Sequence, residues 1–195
     1  MTDDPIERFR EIYELAQALD RSVVPEPNAM ALATVEEGYQ PSVRIVLLKS
    51  FDERGFVFYT NYHGRKGKEL LANAKAALCF YWPTLLIQVR IEGEVTKVSD
   101  AEADAYFSTR PRLTQIGAWA SKQSEPLENE GELDARVAKF EDEFSGREVS
   151  RPPFWSGFRV SPGKIEFWKN RPNRLHERHL YTRDGDRWTT QVLYP

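Results

Sequence analysis

The sequence predicts a mainly β, α+β fold, a small antiparallel barrel with peripheral helices, with residues 1–195 forming a single domain. Three observations predict it. Runs rich in β-branched and aromatic residues follow one another through short connections, the pattern of antiparallel pairing. Stretches of helical period are few and do not alternate with every strand. No glycine-rich strand–turn–helix fingerprint is present, which excludes a Rossmann-type nucleotide site.

The elements follow in order. Asp4-Pro5 offers an N-cap acceptor and a proline at the first helical position. Ile6, Phe9, Tyr13 and Ala16 then recur at helical spacing to about Leu19. After Pro25 and Pro27 the period changes. Strands are expected at 29–34, 42–49 and 56–60, with turns at Glu36-Glu-Gly38 and Phe51-Asp-Glu-Arg-Gly55. A short helix at 65–73 and strands at 76–81 and 86–98 come next. Ser99 and Glu102 form a capping box that opens a helix to about Arg110, stopped by Pro111. Residues 115–124 read as a polar, small-residue loop around Trp119. A helix at 130–144 carries the stripe Leu133, Val137, Phe140, Phe144 and ends at Gly146. Strands at 157–161, 164–168, 174–182 and 188–193 close the chain, with Asp184-Gly185 as a hairpin turn. The total is eight or nine strands and four helices.

Composition narrows the function. With 41% hydrophobic and 29% charged residues the chain is an ordinary soluble one. A net charge of −3 and a pI near 5.7 argue against a general nucleic-acid binder. No run approaches the roughly 20 apolar residues of a membrane span, and Met1 to Pro5 is acidic without an apolar signal core, so no cleaved targeting segment is expected. The single cysteine, Cys79, permits no intrachain disulfide and implies a reducing, cytoplasmic setting; its apolar surroundings mark it as a buried, inert thiol. Three histidines and one cysteine give no metal-ligand spacing, and no Ser-His-Asp order or P-loop is present.

The cations are clustered. Alternation would put Arg174, His176 and Arg178 on one face of an extended segment, a row that suits a flat anionic ligand. Arg44 and Lys49 flank an apolar strand; they serve one site if the strand bulges or ends between them, and otherwise are edge charges. Arg65 and Lys66 open a helix after a glycine loop, where cations oppose the dipole unless an anion compensates them; the cluster is a phosphate site or a solvated basic turn. Tyr106 and Arg110 share a helix face and precede Arg112 and Thr114, making a second anion site or an exposed helix end. Gln88 lies within an apolar strand and needs either a backbone partner or a heteroaromatic ligand. Together these residues suit anions and a planar polar ring, with the difficult chemistry left to a cofactor.

The segments RIVLLK (44–49), FYTNYHGRK (58–66), QVRIEG (88–93), YFSTRPR (106–112), QIGAWASKQS (115–124), FWSGFRVSP (154–162), IEFW (165–168) and RLHER (174–178) stand in an order that closely resembles the pyridoxamine 5′-phosphate oxidase family, over nearly the whole chain. The resemblance implies an FMN-binding split barrel working as a cytoplasmic homodimer with two sites at the subunit interface. It implies oxidation of pyridoxamine or pyridoxine 5′-phosphate to pyridoxal 5′-phosphate, by hydride transfer to flavin N5 with O2 reduced to H2O2. On the same basis Arg44, Ile45, Val46, Leu47, Leu48, Lys49, Tyr59, Thr60, Arg65, Lys66, Gln88, Gln123, Ser124, Trp168 and Arg178 contact FMN, with Arg44, Arg65 and Lys66 on its phosphate. Lys49, Tyr106, Arg110 and Thr114 hold the substrate phosphate. Arg174, Leu175 and His176 lie over the substrate ring, with Arg174 and His176 in the catalytic role. Neither nucleic acid nor membrane is an implied partner.

The chain departs from the family pattern in a short or missing N-terminal arm, in Thr114 for serine, in Ile87 for arginine and in Val192 for the arginine of the C-terminal Arg-Leu-x-Pro. A split-barrel flavoprotein with another substrate, or a non-catalytic FMN or pyridoxal-phosphate binder, would share most of these motifs.

Overall fold

The computed structural model describes residues 4–36 and 38–195. Met1 to Asp3 of the expected N-terminal segment and Glu37 of the expected 36–38 turn lie outside the described residues. Helix α1 (Pro5–Ala18) starts as expected, with the Asp4 carboxylate accepting from the Ile6 N–H at 2.8 Å. Its stripe Ile6, Phe9 and Ala16 is buried, and Phe9 packs edge-on against Phe51 and Phe56 at 4.9 Å.

The strands are β1 (Ala29–Val35), β2 (Pro41–Leu47), β3 (Ser50–Asp52), β4 (Gly55–Asn61), β5 (Lys75–Trp82), β6 (Ile87–Lys97), β7 (Trp155–Lys169), β8 (Glu177–Asp184) and β9 (Arg187–Val192). All pairings are antiparallel, in the order β2-β1-β5-β6-β7-β4-β3, with β8 on β7 and β9 beyond it. The sheet curls until its ends approach: the Lys49 N–H, just past β2, donates to the Val57 carbonyl of β4 at 2.9 Å. This antiparallel half-barrel encloses Leu32, Phe58, Phe80, Val89, Ile91, Val160 and Ile165, and helices α2 (Arg65–Ala72), α3 (Asp100–Ser108), α4 (Arg112–Ala120) and α5 (Glu132–Glu143) complete the fold.

Four local expectations are corrected. Residues 112–120 form α4, not a loop, so there are five α-helices among the described residues. Pro111 takes the N-cap, and Ile116 and Ala120 supply a buried i, i+4 pair across Gly117. The expected strands at 157–161 and 164–168 are one fifteen-residue strand. Pro162 survives within it because the β6–β7 register shifts at Glu92/Gly93; a Cβ on Gly93 would overlap the Ser161 carbonyl oxygen. Phe51 and Asp52, expected within a turn, form with Ser50 the strand β3, which pairs with β4. Finally, Arg174 does not share an extended row with His176 and Arg178. Pro172–Arg174 is a 3-10 turn, Asn173 and Arg174 have φ of +56° and +59°, and β8 begins only at Glu177.

Cys79 is half-buried, and burial raises its thiol pKa. Among the described residues no helix is long and apolar enough to cross a membrane, and no cluster of His, Cys, Asp and Glu could hold a metal ion.

Candidate functional site

A cleft of about 770 Å³ opens at the seam where β2 meets β4, between α2 on one side and α3–α4 on the other. Its walls carry Arg44, Ile45, Val46, Leu47 and Lys49 from β2 and its end, Tyr59 and Thr60 from β4, Lys66 from α2, Tyr106, Arg110 and Thr114 from α3–α4, and Gln123 and Trp155. Arg44 and Lys49 therefore serve one cleft, because β2 ends at Leu47, between them. Leu48 faces the core instead. A second groove of about 800 Å³ runs across the outer sheet face past Ala33, Ala77 and Gly163, with charges of both signs at Lys75, Lys164, Glu92 and Glu94. It lacks the one-signed field of the seam cleft.

One end of the cleft is a guanidinium corner organised by a buried carboxylate. Glu69 Oε2 accepts from Arg44 Nη2 at 3.0 Å, and Glu69 Oε1 accepts from Arg65 Nε at 2.9 Å. Ser42 Oγ donates to Glu69 at 2.8 Å, and Thr34 Oγ1 also hydrogen-bonds the carboxylate. Burial opposes the charge on Glu69, but these four partners outweigh it and hold the pKa down to about 2. Lys66 Nζ donates to Gln123 Oε1 at 2.8 Å and to Thr60 Oγ1 at 3.3 Å; burial, then the nearby Arg44, pull its pKa down. Ser124, with φ of +73°, lies beside the corner and its Oγ accepts the Arg65 N–H, at the start of α2, at 3.2 Å. Gly64, the N-cap of α2, leaves room for Gln123: a Cβ there would come within 2.7 Å of Gln123 Oε1.

The opposite end holds its cations on aromatic rings. Tyr59 stacks on Tyr106 at 4.0 Å and on Trp155 at 5.5 Å. The Arg110 guanidinium lies 4.5 Å from the Trp155 ring centroid, and Lys49 Nζ lies 5.9 Å from that of Tyr106. Arg110 Nη1 is buried with no hydrogen-bond partner among the described residues, and burial lowers the Arg110 pKa. Burial, Glu102 and Tyr106 push the Tyr59 phenol up to about 12, so it stays neutral. The Thr114 hydroxyl donates to the Pro111 carbonyl at 2.7 Å.

The remaining predicted residues do not line this cleft. Gln88, Trp168 and Arg178 form a row of directly paired residues across β6, β7 and β8. The Trp168 and His176 rings are 4.5 Å apart. Arg178 Nε donates to Glu166 Oε1 at 2.8 Å, Arg178 Nη1 donates to the Tyr194 carbonyl, and Arg90 also pairs with Glu166. His176 Nδ1 accepts the Arg171 N–H at 3.3 Å, while Arg174 and Leu175 lie in and after the left-handed turn.

Sequence reasoning missed Glu69, Glu166 and Trp155. An arginine at i and a glutamate at i+4 was the available signal for Glu69. Nothing separated Trp155 from an ordinary core aromatic.

A curled antiparallel half-barrel with cations gathered at its seam defines the class: this is a split-barrel protein of the FMN-binding type. Residues 17–143 match the family described as pyridoxamine 5′-phosphate oxidase, and residues 155–195 match the pyridoxine 5′-phosphate oxidase C-terminal dimerisation region. The pyridoxine/pyridoxamine 5′-phosphate oxidase of Myxococcus xanthus is 56% identical over 192 residues, covering 98% of this chain and 92% of the relative; that of Brucella canis is 53% identical, covering 97% and 94%. PhzG from Burkholderia lata, solved with tetrahydrophenazine-1-carboxylic acid, superposes with a TM-score of 0.88 at 32% identity over 100% of this chain and 94% of its own. An FMN-binding protein of Nostoc punctiforme shares the fold, with a TM-score of 0.76 at 20% identity and full coverage of both chains. The chain belongs to the pyridoxamine 5′-phosphate oxidase family.

Proposed function

We propose that the protein oxidises pyridoxamine 5′-phosphate or pyridoxine 5′-phosphate to pyridoxal 5′-phosphate with FMN as cofactor. One observation carries the reading: the cleft has a group of cations with an excess of positive charge at each end. At one end Arg44, Arg65 and Lys66 outnumber the two carboxylates that pair with them, Glu69 and Glu36. At the other, Lys49 and Arg110 form no ion pair among the described residues. A phosphate monoester carries about −1.5 to −2 at pH 7, so two phosphorylated ligands laid end to end match this pattern.

The residues fit FMN at the Glu69 end. Arg44, Arg65, Lys66 and the start of α2 would hold its phosphate, and Tyr59, Thr60, Gln123 and Ser124 its ribityl chain and ring. When bound, FMN supplies a hydride acceptor at N5 that dioxygen reoxidises with release of H2O2. Lys49, Tyr106, Arg110 and Thr114 hold the substrate phosphate at the other end and so fix which carbon faces the cofactor.

Arg174, Leu175 and His176 cover the substrate ring, and Gln88, Trp168 and Arg178 meet the flavin, from a second copy of the chain. The match to a dimerisation region supports this homodimer. So does an outer sheet face that exposes Val43, Ile45 and Tyr81. Arg174 steers the amine or hydroxyl and stabilises developing negative charge. The cytoplasm suits the lone thiol.

The test is direct. Purified protein reconstituted with FMN should be yellow and release peroxide with either phosphorylated substrate. A protein that retains no FMN would end the reading. A yellow protein that yields no peroxide from either substrate would leave a binder or an oxidase of something else.

A further inference from the structure

The aromatic end of the cleft contains an unusual cation. Arg110 follows α3, and its Nη1 is fully enclosed without a partner among the described residues. A buried guanidinium ordinarily sits against a carboxylate, as Arg159 does against Asp52 and Glu102, both at 2.8 Å. Among the described residues, Arg110 has rings in place of a carboxylate: Trp155 at 4.5 Å and Phe107 at 5.5 Å. Trp155 is itself held firmly. It is 7% exposed, it packs edge-on against Phe107 at 5.1 Å, and it is nearly parallel to Tyr59 (8°) and Tyr106 (9°).

We propose that Trp155 is a positioning residue for the anionic end of the substrate: its ring face holds the Arg110 guanidinium in orientation while leaving the N–H edge uncommitted. This rests on the assignment of Arg110 to the substrate phosphate. A carboxylate in place of the ring would neutralise the cation and occupy the donors that a phosphate needs. A ring quadrupole attracts the cation through its face and competes for no N–H. Tyr59 and Tyr106 brace the Trp155 plane, so the device belongs to the whole stack.

The experiment measures binding of pyridoxal 5′-phosphate and of pyridoxal to the FMN-loaded protein by absorbance titration. In wild type the phosphate should confer a large affinity increment. Trp155→Leu should reduce that increment about ten- to thirty-fold, the worth of a desolvated cation–π contact, and leave pyridoxal binding alone. Trp155→Phe should restore most of it. A second arm replaces tryptophan biosynthetically with mono-, di- and trifluorotryptophan, which weakens the quadrupole at nearly constant shape. The increment should fall stepwise in wild type and stay level in Trp155→Phe, where the other tryptophans are fluorinated equally.

If fluorination leaves the wild-type increment unchanged, or Trp155→Leu binds the phosphate ester as wild type does, the proposal is wrong. Should Trp155→Leu fail to fold, the fluorination series decides alone. A wild type that shows no preference for pyridoxal 5′-phosphate over pyridoxal overturns the Arg110 assignment, and this inference with it. That result is distinct from a preference that persists without the ring.

Discussion

Glu69 and Arg44 meet at the seam of the half-barrel, with Arg44 Nη2 donating to Glu69 Oε2 at 3.0 Å and the glutamate side chain only 3% exposed. The contact ties the first helix after the meander to an edge strand. It also gives the two ends of the cleft different characters: carboxylate-anchored cations at one, ring-borne cations at the other.

Glu69 should make the fold acid-sensitive. Its pKa is about 2 in the folded chain against an ordinary 4.5. A depressed folded value means that the stabilisation is complete above about pH 4.5 and drains away as pH falls toward 2. Glu69→Gln should cost on the order of 2 kcal/mol at pH 7 and flatten the melting temperature between pH 4.5 and 2. Thermal melts of both proteins across that range check it; parallel acid limbs would contradict it.

Lys66→Ala should weaken FMN binding about 10- to 100-fold, the worth of a charge-assisted hydrogen bond. Riboflavin, which lacks the phosphate, should bind unchanged. Fluorescence titration of the apoprotein with both flavins separates a phosphate role from general damage, since equal losses for the two would refute the assignment.

Arg174→Ala should lower turnover by at least about 100-fold while flavin content stays near wild type. Steady-state peroxide release and the absorbance ratio of the purified protein report the two quantities. Parallel loss of flavin would move Arg174 to the cofactor.

Val43, 69% exposed on the outer face of β2, should lie in the contact between copies. Val43→Asp should shift sedimentation toward the single chain and reduce bound FMN together, because a site completed by a second copy fails when the copies separate. A variant that stays dimeric and fully yellow would put the interface elsewhere.

Periodicity made most of the fold legible, and the exceptions have physical causes. Helix α4 was hidden because Gly117 interrupts its apolar stripe and Pro111 reads as a stop, although it serves here as an N-cap. Strand β7 was split because Pro162-Gly163 carries turn chemistry, which a bulge opposite Gly93 absorbs. The row Arg174, His176, Arg178 assumed extended backbone, and two consecutive left-handed residues break it. In the site, the cations announced themselves by their number in an acidic chain. The groups that organise them did not: a glutamate on a helix and a tryptophan in a strand are ordinary until their neighbours are known.

Strand β7 begins at Trp155, beneath Arg110, and reaches Trp168 thirteen residues later. At about 3.3 Å per residue the contour between them is roughly 43 Å, several times the breadth of a 770 Å³ cleft. In the proposed homodimer the strand acts as a yardstick that sets Trp155 and Trp168 of one chain in different sites. On that reading, a single residue inserted or deleted along it should put both sites of the pair out of alignment together.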